Sequence, residues 1–258
     1  MDRNHKIGCL GCALLLALGT SLFAPETADA APIVVPSFSF EAPDILDQTN
    51  SNVTPAGWAF FDSTGVFGLV TIFDPSNAIY SNTTGLALPL PGTADGYQYV
   101  SLNNAAGQIA GNWSLTTGTL ATVIDDTTYT LTVALGNSKT SNPFEFTHLD
   151  LLVNGAVVAT NQVGRASIPD DTFTDFVATF TTATGDPLSG GDLAVRLRAS
   201  ESQLFVLGFS DYDNVRLDAS AATNRAVPEP SSILLLALGG GLCWAARRRR
   251  APRSRVNT

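Results

Sequence analysis

Thr127-Thr128-Tyr129-Thr130-Leu131-Thr132-Val133-Ala134-Leu135 decides the fold class, because apolar Tyr129, Leu131, Val133 and Leu135 alternate with small polar residues. A side-chain period of two belongs to a strand buried on one face. No comparable helical period runs through the middle of the chain. The same alternation predicts strands over 33–40, 66–73, 97–102, 146–153, 157–160, 173–181, 193–199, 204–209 and 215–218. Asn154-Gly155 separates Leu151-Leu152-Val153 from Ala156-Val157-Val158, a two-residue hairpin signal, while Pro169-Asp170-Asp171 and Gly190-Gly191 mark further turns. These strands are too many for one open sheet, so the sequence predicts an all-β domain, a two-sheet antiparallel β-sandwich.

Composition narrows the function. The chain has 258 residues, 45% of them hydrophobic and 14% charged, which supports a packed core. Residues 31–226 hold 6 Lys+Arg against 19 Asp+Glu, a balance of −13 compared with −9 for the whole chain. Such a field repels phosphate backbones, which excludes nucleic acid, and suits divalent cations and neutral glycans. The three cysteines, Cys9, Cys12 and Cys243, all lie in the terminal segments. The domain therefore has no disulfide framework, thiolate nucleophile or cysteine metal site. It has one histidine, His148, and no Gly-x-Ser-x-Gly or zinc-spaced cluster.

Both ends read as addresses. Arg3 and Lys6 precede an apolar run over 14–24 and then Ala28-Asp29-Ala30, so residues 1–30 are expected to be a signal peptide removed by signal peptidase. The sandwich is expected over 31–218, with a tether over 219–226. Val227-Pro228-Glu229-Pro230 follows, then an apolar run over 231–246, then Arg247 to Arg250 and a basic tail over 251–258. Sixteen helical residues span about 24 Å, short of a hydrocarbon core of about 30 Å, yet Trp244 and the arginines reach the interface. A short transmembrane helix is expected, with the arginines cytoplasmic and the acidic domain outside the inner membrane. The tail over 227–250 resembles the PEP-CTERM sorting signal, with Pro228, Glu229 and Pro230 as its motif. That resemblance implies an exosortase partner, transient membrane anchoring and delivery to the cell surface or extracellular matrix.

Candidate chemistry comes from the two ends of the sandwich. The first strand closes on Phe40-Glu41, and the last reads Asp211-Tyr212-Asp213-Asn214-Val215-Arg216-Leu217. Uninterrupted strand phase puts Asp213 on the apolar side with Val215 and Leu217, and an inward carboxylate needs a cation or several donors. With few basic residues nearby, Ca²⁺ suits this place, since it takes about 6–8 oxygen ligands. Phe40-Glu41, Gly57-Trp58, Tyr129-Thr130-Leu131 and Asp213-Asn214-Val215-Arg216-Leu217 resemble the galactose-binding-like jelly rolls of carbohydrate-binding modules. The resemblance implies structural calcium on Glu41 and Asp213. Ring platforms for a sugar are Trp58, Trp113, Tyr97 and Tyr99, each of which also reads as core. Asp125-Asp126 and Asp170-Asp171 read as turn residues.

Two functions follow as expectations. The first is a non-enzymatic surface or matrix protein, a calcium-stabilised jelly roll associating with exopolysaccharide. The second is an enzyme, because the same jelly roll with the same calcium positions resembles calcium-dependent cyclases acting on indole-terpenoid substrates, in which an acidic residue and aromatics line an apolar pocket. Asp62 and Asp95 are available acids, although no motif singles one out. A deep aromatic-lined pocket with a carboxylate of raised pKa separates the two readings.

Overall fold

The computed structural model describes residues 30–46, 49–65, 68–75, 79–80, 89–104, 110–139, 142–202 and 208–222. The signal peptide, the motif Pro228-Glu229-Pro230 and the helix expected over 231–246 lie outside these residues. Among the described residues no helix is long and apolar enough to cross a membrane.

The chain order begins β1 (Ala31–Ile33), β2 (Asn50–Ser51), β3 (Trp58–Asp62), β4 (Gly68–Phe73), β5 (Tyr99–Asn104), β6 (Gly111–Thr117) and β7 (Ala121–Thr122). It continues with β8 (Thr127–Asn137), β9 (Asn142–Pro143), β10 (Phe146–Val153), β11 (Ala156–Gly164), β12 (Thr172–Thr181), β13 (Asp192–Glu201) and β14 (Gly208–Ala221). One sheet runs β12-β8-β14-β5-β4-β2, with β1 and β9 also on β14. The other runs β11-β10-β13-β6-β3, with β7 on β13. Long strands pair antiparallel throughout, so the domain is the expected sandwich. Tyr129, Leu131, Val133 and Leu135 of β8 are buried in the same cluster as Leu149, Leu151, Leu193, Val195 and Leu197 of the facing sheet.

Local chemistry explains where elements start and stop. Val153 pairs with Ala156 across Asn154 and Gly155, both left-handed (φ 51° and 77°), as a tight hairpin requires. The strand expected over 33–40 ends at Ile33, and residues 36–39 turn instead, with Ser37 and Phe40 left-handed. Pro36 has no N–H to continue a ladder. β14 runs three residues into the segment read as tether, because Ala219, Ser220 and Ala221 pair with Tyr129, Thr128 and Thr127.

β14 also departs from simple alternation. Asp211, Tyr212 and Asp213 pair with Gly136, Leu135 and Ala134, and pairing resumes at Arg216 with Thr132 and Leu217 with Leu131. Two residues thus oppose one, a β-bulge, with Asn214 left-handed at φ 47°. The bulge is fixed by the Val215 N–H donating to Phe38 O at 2.8 Å and Asn214 Nδ2 donating to Thr93 O at 2.9 Å. It reverses the phase, so Tyr212, Val215 and Leu217 all enter the inter-sheet core. The sequence expectation that Asp213 shares the side of Val215 is corrected. Asp213 lies with Asp211 on the outer face, opposite Ala134 and Gly136.

Asn214→Val is expected to lower stability by about 1–3 kcal/mol, a melting shift of roughly 2–12 °C, because a β-branched residue resists the left-handed conformation. Asn214→Gly accepts that conformation and loses only the Thr93 contact, so its shift is expected to be smaller. Thermal denaturation of both variants checks this, and equal falls would contradict it.

Candidate functional site

The outer face of the larger sheet carries a second, smaller core. Tyr99 of β5, Ala134 of β8 and Phe173 of β12 cluster there with Tyr80 and Leu90, and Phe73, Ile79 and Ala94 pack against them. Four ring contacts knit it together. Tyr80 meets Phe173 at 5.0 Å and Tyr99 edge-on at 5.6 Å, Tyr99 meets Phe173 at 5.7 Å, and Phe73 stacks on Tyr99 at 5.4 Å.

Asp211 points into this cluster. Its residue is 4% exposed, and its Oδ2 accepts a hydrogen bond from the Tyr80 hydroxyl at 2.8 Å. Its Oδ1, and the hydroxyl of Ser101 paired with it across β5 and β14, make no hydrogen bond of normal geometry among the described residues. Burial pushes the Asp211 carboxyl up to about 6, against the pull of the Ser101 and Tyr80 hydroxyls. Burial, with the Asp211 charge adding to it, drives the Tyr80 and Tyr99 phenols well above their usual range, so both stay neutral. A carboxyl that titrates near neutrality beside aromatic faces has the chemistry of a proton donor to an apolar substrate.

The acids named from sequence behave differently. Asp62 caps a turn, accepting from Thr64 N and Oγ1 at 2.8 and 2.6 Å and from Gly68 N at 2.8 Å. Burial raises it, but these donors outweigh that and leave it below the usual carboxylate range. Asp95 has an exposed side chain, and its backbone N–H donates to Asp213. Asp211 escaped the sequence reading although it stood in the quoted last strand. Strand phase alone would set Asp211 with Asp213 on the apolar side, and nothing local to it announces the Tyr80 phenol that reaches it from the connection between β4 and β5.

Glu41 and Asp213 converge on one turn. Asp213 Oδ2 accepts from Asp95 N at 2.6 Å, while Glu41 Oε1 accepts from Tyr97 N at 2.6 Å and Gln98 N at 2.7 Å. Asp213 Oδ1 is buried without a hydrogen-bond partner among the described residues. Burial, reinforced by the Glu41 charge, pushes Asp213 up to about 9 despite the N–H groups of Asp95 and Asn214. Glu41 is also raised by burial, against the donors from Gln98 and Tyr97. An unshared buried carboxylate oxygen beside a second carboxylate fits the donor chemistry of a hard cation. Among the described residues no group of three or more His, Cys, Asp or Glu side chains converges as a metal site.

The proposed sugar platforms are mostly buried. Trp58 is in the core with Nε1 donating to Pro36 O at 2.8 Å, Trp113 stacks on Phe144 at 4.8 Å, and Tyr99 belongs to the outer aromatic cluster. Of the four rings only Tyr97 is exposed, at 43%. His148 is a strand residue on the other sheet, its Nε2 3.1 Å from Ser200 Oγ, and burial together with the Arg198 charge brings it down to about 4. Asp125 and Asp126 serve as turn residues, accepting from Gly185 N and Thr184 Oγ1 at 2.8 Å.

A profile of the HpiC1 cyclase family matches residues 31–218. The chain belongs to the HpiC1-like cyclase family. Solved structures agree. A cyclase from Fischerella sp. TAU is 25% identical with a TM-score of 0.64, covering 76% of this chain and 100% of its own. A Stig cyclase from the same source, in complex with (3Z)-3-(1-methyl-2-pyrrolidinylidene)-3H-indole, is 26% identical with a TM-score of 0.62, covering 75% of this chain and 100% of its own. A Fischerella sp. TAU cyclase in complex with 4-(1H-indol-3-yl)butan-2-one is 27% identical with a TM-score of 0.61 over 76% of this chain and 100% of its own. No curated protein sequence matches significantly. The expectation of a non-enzymatic protein is overturned, because membership of this cyclase family and its cyclase neighbours point to an enzyme. A second profile, the PEP-CTERM protein-sorting motif, matches residues 226–250. That motif makes the chain an exported protein that transits the membrane before exosortase processing.

Asp213 gives this site a pH signature. Its folded pKa lies above the unfolded value of 3.8, so without divalent cations its contribution to stability is full below pH 3.8 and lost as pH rises to about 9. Asp213→Asn is expected to flatten that fall, as measured by melting temperature against pH in chelator. An unchanged slope would contradict the assignment.

Proposed function

We propose that this protein is an exported cyclase that closes rings on an indole-bearing, terpenoid-type substrate by acid catalysis at Asp211. The observation that carries the reading is the buried Asp211 carboxyl, held by the Tyr80 hydroxyl at the Tyr80, Tyr99 and Phe173 cluster, where burial pushes it up to about 6. Family membership and the indole ligands of the Fischerella neighbours support the substrate class.

The chemistry balances without an oxidant. The Asp211 O–H gives its proton to an electron-rich double bond of the substrate, leaving a carbocation. A nucleophilic ring carbon of the same molecule attacks it, a carbon–carbon bond forms, and the resulting cation returns a proton to the Asp211 carboxylate. The product is an isomer of the substrate. Aromatic faces at Tyr99, Phe73 and Phe173 favour the cation by about 0.5–2 kcal/mol per well-placed ring. Closing the site from water protects the cation from capture.

Glu41 and Asp213 hold a calcium ion in this reading, which rests on their convergence at the 95–98 turn and the unshared Asp213 Oδ1. When bound, the ion supplies positive charge that keeps both carboxylates ionised and ties that turn to β14. The exosortase-processed form then acts at the cell surface or in the extracellular matrix.

Asp211→Asn is expected to lower turnover of an indole-bearing polyene by about 10²–10⁴-fold, read by product formation, with Asp211→Glu retaining part of it. Unchanged turnover in Asp211→Asn would remove the acid assignment. Calcium at 100 times its dissociation constant is expected to raise the melting temperature by roughly 5–11 °C in wild type. Glu41→Gln and Asp213→Asn are expected to abolish that rise, and a rise that survives in both would place the ion elsewhere.

A further inference from the structure

Asp211 cannot touch a substrate while Tyr80 stands where it does. The Tyr80 ring is completely buried, its hydroxyl occupies Asp211 Oδ2 at 2.8 Å, and its faces and edge fill the space bounded by Phe173 and Tyr99. A ring that reaches the acid has to take the place of this phenol.

The sheet is shaped for that occupant. Gly136, in register with both Asp211 and Phe173, lies inside the 11-residue strand β8, where glycine weakens a strand unless something must come close. A Cβ at residue 136 would stand 2.4 Å from the Tyr80 hydroxyl and 2.6 Å from two atoms of the Phe173 ring. The bare glycine therefore makes room for an aromatic ring lying directly on the sheet beside the carboxyl.

The groups around this place differ in how they are held. Ser101, Gly136, Phe173 and Asp211 sit in strands whose backbone ladders would have to break for them to leave. Tyr80 belongs to the connection between β4 and β5, outside the ladders, and its neighbour Ile79 accepts a backbone bond from Lys139 N at 3.0 Å. Rotating its side chain out costs its contacts, the ring packing and the bond to Asp211 among them, and breaks no strand pairing. The vacated volume is that of one planar ring.

We infer that Tyr80 is a displaceable internal occupant of the ring position over Gly136, so that a substrate ring binds Asp211 by competing with it, and that residue 80 sets which rings are accepted. This deepens the cyclase reading and rests on Asp211 being the acid. A competing internal ring lowers apparent affinity by the fraction of time the place is open. It selects for substrates whose ring contacts outweigh those of a phenol, and keeps the acid covered otherwise.

The test is calorimetric titration of full-length protein in detergent with 4-(1H-indol-3-yl)butan-2-one. Tyr80→Ala is expected to bind this probe at least about tenfold more tightly than wild type, whereas Tyr80→Phe, which keeps the ring, stays within about threefold. Equal affinity in wild type and a folded Tyr80→Ala, or binding to neither, would overturn the inference. Should Tyr80→Ala fail to fold, the wild type still decides. The signal of the buried Tyr80 hydroxyl proton, assigned by its absence in Tyr80→Phe, is expected to disappear from the NMR spectrum at saturating probe. Its persistence beside bound probe would overturn the inference. Affinity reads only the contest for the ring's place, while turnover by Asp211→Asn reads the acid, so the two failures are distinguishable.

Discussion

One extra residue in the last strand governs the rest of the molecule. Between Ala134 and Thr132 of β8, β14 inserts Asn214 and Val215 against a single partner. In a strand of strict alternation, Asp211 and Asp213 would face the same way as Val215 and Leu217, into a core of aliphatic side chains. Ionised carboxylates there would cost several kcal/mol each. The bulge hands the inter-sheet core to Tyr212, Val215 and Leu217 and sends both aspartates to the opposite face. Bulges recur beside active sites because they re-aim side chains in this way.

Turning the aspartates outward does not return them to water. Two residues of the connection between β4 and β5 meet them, Tyr80 at Asp211 and the N–H of Asp95 at Asp213. Each acid is left with one oxygen lacking a partner among the described residues. The two nevertheless differ in surroundings. Asp211 is enclosed by rings and meets neutral hydroxyls, the setting of a group that trades a proton. Asp213 faces a second carboxylate, Glu41, whose charge adds to the effect of burial in raising it. One strand thus places two buried carboxyls of different surroundings two residues apart.

Much of the architecture was legible because its cause is local. Alternation in 127–135 and the Asn154-Gly155 turn declare themselves residue by residue, whereas the pairing of Ile33 with Leu217 that sets β1 beside β14 is long-range. β3 and β6 were missed, since Gly111-Asn112-Trp113-Ser114-Leu115-Thr116-Thr117 offers little apolar contrast and buries Ser114 as well as Leu115. Glu41 and Asp213 were named from sequence, but the side of the strand was misjudged because the bulge depends on a long-range bond from Val215 to Phe38. Of the aromatic cluster only Tyr99 was singled out from sequence, and for another role. Tyr80, Ser101, Phe173 and Asp211 come from separate parts of the chain, and only the sheet order β12-β8-β14-β5 brings them together. A glycine in mid-strand at 136 is the one local hint that a ring approaches there.

The account stands on Asp211 being a buried carboxyl held by a phenol. Carbon-13 NMR titration of the aspartate side chains, with Asp211 assigned by comparison with Asp211→Asn, tests that most directly. A midpoint of about 6 is expected, far from the ordinary 3.8. A carboxyl titrating at the ordinary value would show a solvated surface group and contradict the account.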